Sequence, residues 1–491
     1  MRIRMLKLRC PGWAVTALLS AMASISGAQV WEKTISPGVT YRMEVDLATP
    51  RIIHSIRYSL GAPMMSMKSE LAGGTVIEEN ATKGRETISE MQTRTGALVA
   101  VNGDFFPFTG DPLGVMIRDG QLLSVPGVQR ATFAWNGTRA QIGLVEFKGT
   151  VESGTQSLDI KGLNEECPLN EMVLNTDVAA FALAKTPNIH AVIRMDSPTW
   201  QPNGTYTGTF ESLYSDAAKL PIQPGNAVLT ANGTKAEALK GWIPGQKVTI
   251  RFESKGFDWK AVEQLIGGGP FLIRNGQVSV DAKAQGFADS FSLKRHPRTA
   301  MGRTANGDIW LTVIDGRQKM SDGATLDETA KIMLKLGCID AINLDGGGSS
   351  SVNILGVTLN RPSDGKERPV ANGVVLMGPK PEGTANPLKL KSPAKVTLGQ
   401  AFTLTVSDDS GKTIPNSEVL WSSQGDAWID QGGLARPVQK GQTEIVAYAR
   451  GQILRTTLEI TEPEKKAVSK SRLQNRTIAS RGKKGRGSRK G

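Results

Sequence analysis

The residues Asn343-Leu344-Asp345-Gly346-Gly347-Gly348-Ser349-Ser350-Ser351 put a carboxylate next to three bare backbone units. They follow the short apolar run Cys338-Ile339-Asp340-Ala341-Ile342, so the carboxylate is expected at the tip of a strand. Glycine has no Cβ to block an approaching group, and its main-chain N–H can reach an anion. A Gly/Ser surface turn has the same composition, so the rest of the chain must decide between the two. Two other acids also end apolar runs: Asp104, after 97–101 and Asn102-Gly103, and Asp315, after Ile309-Trp310-Leu311-Thr312-Val313-Ile314. With Arg298 they form a set suited to hydrolysing an anionic substrate, because a guanidinium forks onto phosphate oxygens. No G-x-S-x-G or Walker A pattern is present. The three histidines, His54, His190 and His296, offer no evident partner for the serines and too few ligands for a His-rich zinc centre.

Two segments with one layout must position these acids. Thr87-Ile88-Ser89-Glu90 opens a helical pattern that stops at Gly96, before 97–101 and Asn102-Gly103-Asp104. Thr325-Leu326-Asp327-Glu328 opens another that stops at Gly337, before 338–342 and Asn343-Leu344-Asp345. Threonine with glutamate three residues on is a capping box, and glycine is the usual residue just past a helix end. Each unit therefore reads as helix, tight turn, strand and an Asn-x-Asp tip. Both tips are predicted to open into one cleft. Between the units, 130–265 alternates like half-buried strands, as in Lys247-Val248-Thr249-Ile250-Arg251-Phe252. The fold class is α+β: a strand-rich, mixed-sheet body over 29–378. A proline-bearing linker, 379–387, and a β-sandwich of bacterial immunoglobulin-like type, 388–462, are expected to follow.

Residues 1–28 read as a secretory signal, with Arg2, Arg4, Lys7 and Arg9 ahead of an apolar stretch and Ser26-Gly27-Ala28 as cleavage site. The mature chain is then expected to be secreted, periplasmic or held at the cell surface, with no transmembrane segment. The net charge of +13 invites a nucleic-acid reading, but the leader's +4 and the +10 of 463–491 leave about −1 for the body. No nucleic-acid partner is expected. The basic, Gly/Ser-rich tail is read as disordered, or as loosely attached to an anionic envelope polymer. Cys167 and Cys338 remain after the leader, and their spacing leaves open whether they pair.

Asn102-Gly103-Asp104-Phe105-Phe106, Gly268-Gly269-Pro270, Pro297-Arg298-Thr299-Ala300, Asp315-Gly316-Arg317, 343–350 and Arg368-Pro369-Val370-Ala371-Asn372 occur in order over roughly residues 35 to 378. Together they resemble the phosphodiester glycosidase family. The resemblance implies hydrolysis of an N-acetylglucosamine-1-phosphodiester, which releases the sugar and leaves a phosphomonoester. Such a leaving group, with a second pKa of about 6, departs with little need of a proton. The catalytic set is then Asp345, Asp104 and Asp315, one of the first two acting as nucleophile or as the base on water. Substrate contacts fall to Asn102, Arg298, Thr299, Asn343, Gly346, Gly347, Gly348 and Ser349. No cofactor is required; a divalent cation such as Ca2+ on Asp104, Asp345 and Asn343 is a further reading, with direct sugar contact as its alternative. The expected partner is a phosphorylated glycan. Two other classes compete: an envelope protein that binds such a glycan without cutting it, and a structural component assembled through the sandwich and tail.

Overall fold

The computed structural model describes residues 28–197 and 199–463; the expected leader and basic tail lie outside them. Eight antiparallel strands form the main sheet, in the order Gln29–Ser36, Val39–Asp46, Arg51–Tyr58, Ile309–Ile314, Arg298–Thr304, Cys338–Asn343, Phe271–Arg274 and Gln277–Val278. Facing it is a five-stranded sheet, Val357–Thr358, Val352–Ile354, Val99–Asn102, Asn372–Met377 and Ser66–Leu71. A continuous core lies between them, with Ile56, Leu311, Met301 and Ile342 from the first and Val101, Val352 and Val374 from the second, all buried. The two predicted tips end central strands of these two sheets, Val99–Asn102 in one and Cys338–Asn343 in the other.

Both helix–glycine–strand units form. Helix α1 (Ile88–Thr95) has the full capping box of Thr87 and Glu90, and Gly96 takes the left-handed conformation at φ 70°. Asp289–Ser292 is the short helix α2. Helix α3 (Leu326–Lys335) repeats the box with Thr325 and Glu328, and Gly337 sits at φ 87°. A residue with a Cβ would be strained at either glycine.

A second eight-stranded sheet, drawn from 146–255 with two short strands at 156–160 and 162–163, carries its own core around Trp200, Phe210 and Phe252. Its strand Lys247–Lys255 alternates buried and outward residues along its length. From Lys389 on, the strands pair only with one another, in sheets of two, four and three strands. Trp421, Ile445 and Leu458 form an inner core there. Their neighbours Leu420, Trp428, Val446 and Tyr448 face the other way, into the core between the two main sheets. Polar ties reinforce the junction: Lys33 Nζ donates to Asn416 O at 2.8 Å and Gln424 Nε2 to Asn360 O at 3.0 Å. The segment is thus built onto the body's core. Cys167 and Cys338 are both free and buried. Among the described residues, no helix is long and apolar enough to cross a membrane.

Thr325→Ala removes the cap acceptor of α3 and is expected to cost about 1 kcal/mol of unfolding free energy in a urea titration. An unchanged midpoint would mean that packing alone holds the helix start.

Candidate functional site

The two strand tips are tied to each other. Asn102 Nδ2 donates to Asp345 O at 2.7 Å, and Asp345 N donates back to Gly103 O at 2.9 Å. Asn102 Oδ1 accepts from Thr299 Oγ1 at 2.8 Å and from Ser351 N at 3.1 Å. Asn102 and Thr299 are fully buried, with their hydrogen-bonding groups turned onto the protein. Both side chains thus hold the tips. Asn343 is buried as well: its Nδ2 donates to Gly269 O at 3.0 Å and to Leu344 O at 2.5 Å, while its Oδ1 has no partner.

This lashing brings Asp104 and Asp345 together. Asp104 is 2% exposed; its Oδ1 accepts from Phe105 N at 2.8 Å and its Oδ2 from Gly114 N at 2.7 Å. Burial pushes its carboxyl up to about 7, against the lowering effect of those N–H groups and of Arg130, and Asp345 pushes it further the same way. Asp345 is half-buried and accepts from its neighbour Gly346 N at 2.9 Å. Burial raises it to about 6, while the Ser349 hydroxyl, that N–H, Arg368 and Arg130 pull it down. Two neighbouring carboxyls whose burial raises both toward neutrality, one enclosed and one more open, can divide acid and base roles between them.

The positive charge around the pair does not come from Arg298. That side chain is fully buried: Nε donates to Ala324 O at 2.9 Å, Nη2 to Lys294 O at 3.1 Å and to Phe291 O, with the guanidinium 4.7 Å from the Phe291 ring centroid. Thr299 points to the tips, so its strand neighbour Arg298 points to the opposite face of the sheet. It braces the α2 segment there. Arg130 and Arg368 act on the carboxyls, and Arg317 lies beside the glycine run. Arg130 lies 4.3 Å from the centroid of Phe287 and 5.1 Å from that of Phe105, and its charge acts on both carboxyls. Its buried Nε has no partner. Arg317 and Arg368 press onto the glycine run: a Cβ on Gly347 would come 3.1 Å from Arg317 Nη2, and one on Gly348 would come 2.1 Å from Arg368 Nη2. Arg368 is held by Asp364 at 2.6 Å and reaches Ser349 Oγ at 3.5 Å. Arg317 itself sits at φ 60°, a conformation few non-glycine residues take.

The glycines leave room for close neighbours: Arg317 at Gly347, Arg368 and Asp364 at Gly348, and the main chain of Pro297 at Gly346. Their N–H groups are mostly engaged: Gly346 on Asp345, Gly347 on Pro297 O at 2.9 Å, and Ser349 on Gly346 O at 3.2 Å. Asp315 is not brought to the pair. Its carboxylate lies 3.6 Å from His54 Nε2 and accepts from Arg361 N at 3.0 Å, on the far side of its strand end. Among the described residues, no three His, Cys, Asp or Glu side chains gather as a metal site. Arg130 stands in an irregular loop, Pro126-Gly127-Val128-Gln129-Arg130, whose only sequence signal is a lone cation before the strand Thr132–Trp135. Arg317 and Arg368 do fall inside motifs, Asp315-Gly316-Arg317 and Arg368-Pro369, where their charge was the available clue.

Residues 199–377 match the model of the family described as phosphodiester glycosidase, a stretch that holds Asp345, Arg317 and Arg368. The bovine N-acetylglucosamine-1-phosphodiester alpha-N-acetylglucosaminidase is 34% identical over 110 residues, 21% of this chain and 21% of that protein. An uncharacterized SPbeta prophage-derived protein of Bacillus subtilis (strain 168) is 39% identical over 85 residues, 17% of this chain and 13% of that one. The aligned stretches thus span about a fifth or less of these curated relatives. A hypothetical protein from Synechocystis has the same fold, with a TM-score of 0.62 at 22% identity, covering 72% of this chain and 64% of its own.

Arg298→Lys should lower stability by about 2 kcal/mol, since an ammonium cannot reach the same carbonyls at once and leaves some unsatisfied. Thermal unfolding reads this. A loss confined to substrate affinity, with stability unchanged, would return Arg298 to the cleft.

Proposed function

We propose, for a chain whose residues 199–377 belong to the phosphodiester glycosidase family, that the protein hydrolyses the glycosidic bond of a sugar-1-phosphodiester. The observation that carries this reading is the Asp104–Asp345 pair, held on lashed tips and near neutral pKa, with Arg130, Arg317 and Arg368 around it. The sugar's anomeric carbon stands at Asp345, the more open of the two carboxyls. Its phosphate lies among the three guanidiniums, whose positive charge favours the phosphomonoester as it departs. Ionised Asp345 attacks the anomeric carbon or takes the proton of the attacking water. Asp104, still protonated near neutrality, donates toward the glycosidic oxygen. That second contribution is small, because a phosphate leaves well without much help. A protein that only binds glycan would gain nothing from two carboxyls kept partly protonated by burial, which disfavours the non-catalytic reading.

In this reading the substrate is an N-acetylglucosamine-1-phosphate type linkage in an envelope or extracellular polysaccharide. The leader would direct export, and the tail would add a loose, salt-sensitive hold on anionic polymer.

Asp345→Asn is expected to lower sugar release from a GlcNAc-1-phosphodiester by at least ~10³-fold in a folded protein, and Asp104→Asn by about tenfold to a hundredfold. Equal, small effects would sink the assignment of roles. The rate should rise with pH as Asp345 ionises through about 6 and fall more gently above about 7 as Asp104 loses its proton. A profile flat between pH 5 and 8 would count against the pair (about the range these shifts would cover). Arg130→Lys keeps the charge but loses the aromatic seat, and should reduce kcat/KM by about tenfold to a hundredfold.

A further inference from the structure

Arg85 has no part in the chemistry above, yet it stands beside it. Its Nε donates to Thr82 O at 2.8 Å, and its guanidinium lies 5.3 Å from the centroid of Phe108 and 5.9 Å from that of Phe106. The turn that carries it rests on the loop after Asp104: a Cβ on Gly110 would come 2.1 Å from Lys83 O and 3.7 Å from Arg85 Cγ. Its sequence neighbour Glu86 is spent on Arg94 at 2.8 Å and does not neutralise it. The charge that Arg85 does feel is that of Arg368, which, after burial, lowers its hold on its proton. Two guanidiniums thus stand close enough to repel, with Asp364 the one carboxylate paired to Arg368. Such an arrangement costs free energy unless an anion joins it. Phe108, at the outer end, is 76% exposed and presents its ring beside the Arg85 guanidinium.

A single scissile phosphate is already served by Arg130, Arg317 and Arg368. We propose that Arg85, Phe106 and Phe108 form a second subsite that takes the next phosphodiester and sugar of a glycan chain built from repeating sugar-phosphate links. Arg85 would fork onto the second phosphate, and the exposed ring of Phe108 would receive the apolar face of the adjoining sugar. The Arg85 segment pairs with the Arg368 segment through Glu86 and Val370, at 3.0 and 2.8 Å, so the chain would run outward from the cut bond on the phosphate side. This deepens, and rests on, the diester-cleaving reading.

The test compares a single-link GlcNAc-1-phosphodiester with a synthetic oligomer of several such links, using wild-type protein, Arg85→Ala and Phe108→Ala. The expected result is a preference of about tenfold in kcat/KM for the oligomer, abolished by Arg85→Ala and reduced by Phe108→Ala, with single-link turnover unchanged in both. Equal rates on the two substrates in wild-type protein, or equal losses on both in Arg85→Ala, would overturn the subsite. Calorimetric binding of the oligomer to Asp345→Asn protein, with and without Arg85→Ala, separates the two readings. Arg85-dependent binding without turnover by the wild type would keep the subsite and remove the hydrolase. Binding indifferent to Arg85 would remove the subsite whether or not the protein cleaves.

Discussion

The reciprocal hydrogen bonds between Asn102 and Asp345 and between Asp345 and Gly103 are the constraint on which the site depends. Each joins the end of a strand in one sheet to the end of a strand in the other. Without them, the two acidic tips would be free to part, since each ends a strand of a different sheet. The lashing works because Asn102 sits at zero exposure, where each of its bonds is made in a low-dielectric setting and none competes with water. Thr299 and Ser351 complete its set, so the amide has a single orientation.

Around this clasp, desolvation outweighs attraction. Arg130 pulls on both carboxyls, but no cation comes close enough to pair with either, and both pKa values end above their ordinary range. For Asp104 the rise from 3.8 to about 7 corresponds to about 4 kcal/mol of preference for the neutral form. The sign follows from proton binding: between those values the folded state holds a proton that the unfolded chain has lost. Stability is therefore fully present below about pH 4 and is given up as pH rises through about 7. The arginines that could quench the pair are kept at a distance by seats of their own, two against glycines and one against phenylalanine rings.

Much of this architecture was legible in the sequence. The capping boxes at Thr87 and Thr325, the stops at Gly96 and Gly337, and the Asn-x-Asp tips all follow from local rules, and local rules hold where hydrogen bonds close within a few residues. Side-chain direction was harder. Asp315 obeys the same strand-end pattern as Asp345, but its carboxyl turns to His54. Arg298 and Thr299 are adjacent on one strand, so only one of them can face the tips; period-two alternation held that answer, but the sheet's inward face was unknown. The glycines supply room as well as N–H groups, and that room could be seen only once Arg317 and Arg368 stood beside them. Arg130, in a loop without periodicity, could not be singled out until Phe105 and Phe287 were seen beneath it.

The C-terminal strands look, from their pairing alone, like a part that could be exchanged among proteins. The four side chains Leu420, Trp428, Val446 and Tyr448 say otherwise, because they are buried in one continuous core with the two sheets that carry the tips. Removing them would bare apolar surface worth about 1.5–3 kcal/mol for each buried side chain. The segment therefore differs from a tethered binding domain, whose loss would leave the body's core covered. Cutting the segment away would uncover the Gln29–Ser36 edge and the 352–360 hairpin, so a body expressed alone would need those surfaces repacked.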